Sequence, residues 1–306
     1  VGRLNSASPY TKSQSTMKTQ KLHRAFLINT RWNIVIKMME NNKRIKALFF
    51  DIDGTLVPYG TGHIPEEVAN AIAEVRRRGV KVFISTGRHL AWINNLGDTE
   101  FDGFVTGNGG MCLGSDRKEC IYRRCIPAEE LQRLEEFSRR SDIPLVVVPA
   151  DGEIFITSVT PEVKLIAEDL HLPAIPVDKV ENALAKDVVQ LMAFGSEDER
   201  RSSGLFGEVL KHSVATSWNP YFCDIIPEGS DKSRGLQAMA DHFGFDMSET
   251  MAFGDGSNDI GMLKAAGIGV AMGNAAPEVK AAADYVTTND SDHGIVNALR
   301  HFGLLD

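Results

Sequence analysis

In "IKALFFDIDGTLVPYG", residues 45–60, an apolar run ends in two aspartates one residue apart, Asp51 and Asp53, followed by Gly54 and Thr55. Three more polar groups stand at the ends of apolar runs: Ser85, Thr86, Gly87 and Arg88 after "VKVFI", Asn108 after "FDGFVT", and Asp255, Asn258 and Asp259 after "TMAFG". Carboxylates crowded at one place repel one another, so either several hold protons or a divalent cation lies among them. With oxygen ligands and no neighbouring His or Cys, the expected ion is Mg²⁺. A carboxylate beside such an ion can attack phosphorus, because the substrate's negative charge is neutralised. Asp51 is the candidate nucleophile. Asp53, pointing the same way in an extended segment, is the candidate acid and base that serves leaving alcohol and attacking water. For that role it should hold a proton part of the time and meet the metal through its backbone carbonyl. Thr86 offers a hydroxyl and backbone N–H groups to the phosphoryl oxygens. Lys232, in "PEGSDKSRGLQAM" at the start of a helix, is the fixed cation.

Ligands of open α/β sheets bind at the carboxyl ends of the strands, so these clusters require a parallel sheet to share one rim. The patterning fits. "KALFFDI" and "VKVFIS" read as strands around the helix "PEEVANAIAEVRRRG", whose Val68, Ile72 and Val75 share a face and whose end is marked by Gly79. Alternation resumes from "ETMAFGDG" to "DHGIVNALRHFG". The expected fold class is α/β: a doubly wound, Rossmann-like parallel sheet made of 45–110 and 221–306, interrupted by an inserted α/β cap at 111–220. The cap reads as strands "MCLGS", "ECIYRRC", "PLVVV", "EIFIT", "DVVQLMAF", "SVATS" and "YFCDII" with helices near "PAEELQRLEEFSRR" and Glu197.

The 306 residues carry a formal charge of -8, but it is unevenly distributed. Residues 1–46 hold ten Lys and Arg against Glu40 alone, which leaves 23 basic and 40 acidic residues for the rest. An acidic folded part disfavours nucleic acid and anionic lipid as partners. No apolar run approaches the roughly 18 residues of a spanning helix. Cys112, Cys120, Cys125 and Cys223 fall in no metal spacing and suit a reducing, cytoplasmic setting. Residues 1–44, rich in Ser, Thr, Asn and Lys, read as a dispensable or artefactual extension or a targeting segment, with Met38 an ordinary start.

"FFDIDGTL", "STGR", Lys232 in "DKSRGL" and "GDGSNDIGML" together resemble, in order, the four motifs of the haloacid dehalogenase superfamily of phosphatases. The "GNGG" loop and the large insertion are similar to its Cof-type subfamily. This resemblance implies Asp51 as nucleophile and Asp53 as acid/base. It also implies a phosphate-binding set of Ile52, Thr86, Gly87, Lys232 and Asn258, a Mg²⁺ site of Asp51, Asp53 and Asp255, and an outer position for Asp259. The expected substrates are small phosphate monoesters, sugar phosphates first; oligomeric state is left open. Alternatives are a phosphotransferase or phosphomutase on the same fold, a receiver-like signalling domain, and a catalytically silent binding module. Arg88 and Asn108 could equally brace loops, and His89 reads as a first-turn helix residue. In the cap, Asp151, Glu153, Trp218, Asn219 and Tyr221 could grip substrate or simply form turns and core.

Overall fold

The apolar runs become two sheets in the structure, a computed structural model that describes residues 44–151, 153–169 and 174–306. Except for Arg44, the expectation for residues 1–44 lies outside the described residues, as do the side chains of Trp218 and Asn219. The elements are β1 (Ala47–Phe50), α1 (Glu66–Arg77), β2 (Lys81–Ser85), β3 (Gly103–Thr106), β4 (Met111–Gly114), β5 (Cys120–Arg123), α2 (Ala128–Ser138), β6 (Leu145–Pro149), β7 (Phe155–Ile156) and α3 (Pro161–Asp169). After them come β8 (Val188–Phe194), α4 (Glu197–Ser202), β9 (Ser213–Asn219), β10 (Phe222–Pro227), α5 (Lys232–Phe243), β11 (Thr250–Gly254), α6 (Ile260–Ala265), β12 (Ile268–Ala271), α7 (Pro277–Ala282), β13 (Tyr285–Val286) and α8 (Gly294–His301).

The larger sheet has the order β13-β12-β11-β1-β2-β3-β4-β5, parallel from β13 to β3 and antiparallel at β4 and β5. β1 lies between β2, its successor through α1, and β11 from the far end of the chain. The connection changes direction there, which opens a crevice at the carboxyl ends of β1 and β11. All four residues of β1 are buried, as a central parallel strand requires. Phe49 stacks on Phe83 at 4.8 Å and joins Leu236 and Met239 of α5 in one core cluster. Phe50 stacks on Phe253 at 4.6 Å. α1 buries Val68, Ile72 and Val75 as its period predicts and ends before Gly79, whose φ of +86° is the left-handed conformation of a helix terminator.

The smaller sheet has the order β7-β6-β8-β10-β9, antiparallel throughout. One face holds Leu145, Val147, Leu191, Ala193, Cys223 and Ile225 against Leu131, Leu134 and Phe137 of α2, a core of its own. The expected boundaries of the insertion shift at both ends. β4 and β5, placed in the cap by the sequence, extend the large sheet as an antiparallel edge, whereas β10, read as a cap strand but left beyond the boundary at 220, pairs with β8 and β9. Short amphipathic strands do not reveal which neighbour they pair with, because partner choice depends on long-range contacts.

Candidate active site

β1 and β11 hold the first carboxylates by their backbones. The N–H of Asp51 donates to the carbonyl of Phe253 at 3.0 Å, which fixes Asp51 at the mouth of the crevice beside the chain that continues to Asp255. The loop Ile52–Val57 then turns back on itself through Val57 N–H to Ile52 O at 2.8 Å. Gly54 is needed in that turn: its φ is +75°, and a Cβ there would meet both Asp255 and the Tyr59 ring at 2.4 Å.

Lys232 enters from the first turn of α5, which Asp231 caps by accepting from the N–H of Arg234 at 2.9 Å. The "GNGG" loop packs directly against this helix start. A Cβ on Gly109 would lie 1.9 Å from the Asp231 carbonyl, so only glycine permits the approach. Lys232 is completely buried and its Nζ donates to Asp51 Oδ1 at 2.5 Å and to Asp259 Oδ1 at 2.6 Å. Asp259 Oδ2 accepts from the N–H groups of Asp255 and Gly256, so both of its oxygens are already engaged by the chain. Asp255 Oδ1 accepts from Thr55, and its Oδ2 accepts from Tyr59 OH at 3.2 Å and from Asn274 at 3.4 Å.

Oxygens of Asp51, Asp255 and Asp259 lie within 4.8 Å of one another, and all three residues are buried. Three carboxylates against one ammonium leave a surplus of two negative charges when all are ionised. Burial pushes the Asp51 carboxyl well above its ordinary value; Lys232 opposes this, and Asp259 and Asp255 add to it. Asp255 is raised to about 6, again mainly by burial. Burial alone would discharge Lys232, but Asp259 and Asp51 outweigh that and keep it charged. A buried all-oxygen cluster with two uncompensated charges suits a hard divalent cation, so the residues present fit a metal ion.

Thr86 is buried at the end of β2, its hydroxyl accepting from the Arg88 N–H at 3.1 Å. Gly87 lies against the Asn108 side chain. Asn108 adopts a left-handed conformation, φ 51° and ψ 41°, and its Oδ1 accepts from Asn258 Nδ2 at 2.9 Å. The fold therefore brings Asp51, Ile52, Asp53, Thr86, Gly87, Lys232, Asn258, Asp255 and Asp259 to one rim. It adds Asn108 as the link between the β2 and β11 loops. Asp53 has a partner its motif does not announce: both its oxygens accept from Arg88, at 2.5 and 2.8 Å. His89 accepts from the Ala91 N–H and caps a 3₁₀ turn, so it is a local structural residue.

In the cap, Asp151, Glu153 and Tyr221 are exposed. The residues missed by sequence reading lie on the sheet face opposite α2. By the alternation of a strand, Gln190 and Asp224 point away from Leu191 and Ile225, which face the cap's own core. Gln190 is 1% exposed and its Nε2 donates to Asp224 Oδ1 at 3.0 Å, while its Oε1 is buried without a partner. That oxygen lies 3.1 Å from where a Gly107 Cβ would stand, so this face meets the "GNGG" loop. Thr216, opposite Asp224 in the β9–β10 pairing, also has a buried, unpartnered hydroxyl. A lone Gln inside "DVVQLMAF" is the signal that could have pointed to it.

A buried carboxylate–lysine cluster thus stands at the switch point of a doubly wound sheet, with a second sheet reaching the adjoining "GNGG" loop through Gln190. Residues 48–299 match the haloacid dehalogenase-like hydrolase family, and the chain belongs to it. It is 31% identical over 261 residues to YkrA of Bacillus subtilis (strain 168), an alignment that covers 85% of this chain and 98% of that protein. The sugar phosphatase BT4131, of subclass IIB, superposes with a TM-score of 0.75 at 40% identity over 85% of this chain and all of the other. BT1666 from Bacteroides thetaiotaomicron, a phosphatase of the same superfamily, gives 0.76 at 35% identity over 86% and 96%. The chain is a phosphoric monoester hydrolase. Among the described residues no helix is long and apolar enough to cross a membrane.

Proposed function

We propose that the protein is a Mg²⁺-dependent phosphatase of sugar phosphates that works through a phospho-aspartate on Asp51. The observation that carries this reading is Asp51 itself: a buried carboxylate at the switch point, 2.5 Å from Lys232. Asp51, the backbone carbonyl of Asp53 and Asp255 would hold Mg²⁺, which would balance the surplus charge and neutralise the phosphoryl oxygens. Asp259, engaged on both oxygens, serves as an outer support that orients Lys232 and the Asp255 backbone.

The free oxygen of Asp51 attacks phosphorus, a P–O bond to Asp51 forms, and the bond to the sugar oxygen breaks. Lys232, Thr86 with the Gly87 backbone, and Asn258 steady the equatorial oxygens; Ile52 contributes from its backbone. Asp53 gives a proton to the leaving alkoxide and afterwards takes one from the water that cleaves the phospho-aspartate. It can do so only after the Arg88 fork has opened and Asp53 has taken up a proton from solvent, and both side chains are exposed enough to move, at 42% and 32%. The cap face argues for sugars as the leaving group. Gln190 Oε1 and Thr216 Oγ1 are buried acceptors without partners beside a carboxylate, a match for the hydroxyl donors of a polyol. The similarity to the sugar phosphatase BT4131 supports the same class.

Phosphate release from a panel of sugar phosphates, nucleotides and aryl phosphates, with Mg²⁺ and with chelator, tests the reading. Hydrolysis of no monoester in Mg²⁺ would sink it. In rapid-quench experiments Asp51→Asn should remove phosphate label from the protein. Asp53→Asn should slow its appearance, most with poor leaving groups, and its hydrolysis. Faster phosphate transfer to added sugars than to water would make the protein a phosphotransferase instead.

A further inference from the structure

One polar contact at the rim comes from outside every motif. Tyr59 follows the "DIDGTLVP" segment, in a loop whose Gly60 and Gly62 have φ of +80° and +71°. Its ring lies against Gly54, where an added Cβ would meet it at 2.4 Å, and its hydroxyl donates to Asp255 Oδ2 at 3.2 Å. The backbone holds the residue in place from the other side. Tyr59 N–H donates to Asp290 Oδ2 at 3.3 Å, the Asp290 N–H donates to Asn274 Oδ1 at 2.9 Å, and Asn274 Nδ2 donates to the Gly54 carbonyl at 2.8 Å. Tyr59 thus closes a ring of contacts over Asp255, yet the residue as a whole is 70% exposed. A large aromatic this open contributes little to the core. Its position is explained by what its hydroxyl does.

Resting on the metal site of the proposed function, we infer that Tyr59 is a positioning residue for Asp255 that sets the affinity of the metal. Asp255 Oδ1, held by Thr55, keeps a lone pair for an ion, while Oδ2 is turned outward and tied by Tyr59 and Asn274. A ligating carboxylate that is fixed through its other oxygen loses less freedom when the ion binds, and hydrogen bonds of this outer kind raise affinity by about 10–100-fold. Tyr59 donates from a neutral phenol at the solvent boundary, which places it at the low end of that range. Its hydroxyl donates to Asp255, so its influence passes through that carboxylate.

Calorimetric titration of the substrate-free protein with Mg²⁺ tests this. Tyr59→Phe retains the ring on Gly54 and removes only the donor; it should weaken the Mg²⁺ Kd by about tenfold. A Kd within twofold of the parent protein overturns the inference, whatever happens to thermal stability. In the unaltered protein, Mg²⁺ should perturb the near-ultraviolet tyrosine absorbance, and that difference spectrum should vanish in Tyr59→Phe; its survival in the variant counts against Tyr59. If the unaltered protein itself binds no Mg²⁺, the metal site has failed and the role of Tyr59 with it. A parent protein that binds and a variant that binds equally well overturn Tyr59 alone.

Discussion

The two sheets solve different problems with similar apolar strands. The eight-stranded sheet ends in a rim whose charged side chains are engaged: Lys232 bridges Asp51 and Asp259, Asp53 is held by Arg88, and Asn258 reaches Asn108, while the Ser85 hydroxyl is buried there without a partner. The five-stranded sheet presents a face on which Gln190 Oε1 and Thr216 Oγ1 are left without partners. Fixed groups aimed at the site of charge development serve a step common to all phosphate esters. On the proposed reading, unpartnered polar atoms on a separate layer would serve recognition, because the correct ligand supplies the missing partners and an analogue without them leaves buried polar atoms unpaired.

This division fails if rim substitutions act selectively on substrates or cap substitutions act on all of them. Asp51→Asn should lower kcat/KM by on the order of 10⁴-fold or more for every phosphate ester, since no other nucleophile takes its place. Steady-state assays on a sugar phosphate and an aryl phosphate check it; a loss confined to one ester breaks the comparison. Lys232→Met should cost about 10²–10³-fold in kcat, equally for both esters. It should also destabilise the metal-free protein by roughly 3–5 kcal/mol, because buried carboxylates lose their partner.

A third expectation concerns charge. Asp255 has a folded-state value of about 6, above the ordinary 3.8 of the unfolded chain. Between those values the unfolded chain has released the proton and the folded chain keeps it, so the stabilisation present below pH 4 is lost as pH rises through 6. The metal-free protein should lose up to roughly 3 kcal/mol over that window, and Mg²⁺ should restore much of it at pH 7. Chemical denaturation at pH 4 and pH 7, with chelator and with Mg²⁺, measures the difference; a rise in metal-free stability with pH contradicts the charge surplus. The smallest effect is the most discriminating. Gln190→Ala should raise KM for sugar phosphates about 3–10-fold and leave hydrolysis of a small aryl phosphate within about twofold. Equal losses on both would remove Gln190 from recognition.

The rim half of this comparison was legible before the structure. Asp51, Thr86, Lys232 and Asp255 stand at predicted strand or helix ends, and the parallel sheet expected from the alternation puts such ends on one rim. Arg88 and Asn108 could be read either way from their types alone, and the fold resolved both: one pairs with Asp53, the other joins Asn258 beside Gly87. The Arg88 partner of Asp53 was not legible, because a guanidinium 35 residues away reaches it only after β1 and β2 have paired.

The amino-acid sequence by itself determined the class of sheet and the rim on which its carboxylates gather. Those features follow from local periodicity and from residue types at element ends. Only the tertiary structure decided that β4 and β5 extend the large sheet, that the small sheet runs past residue 220, that Gln190 and Thr216 hold buried unpartnered polar atoms, and that Tyr59 reaches Asp255. Strand partnership and the burial of a single polar atom depend on groups far apart in the chain, and neither leaves a periodic trace.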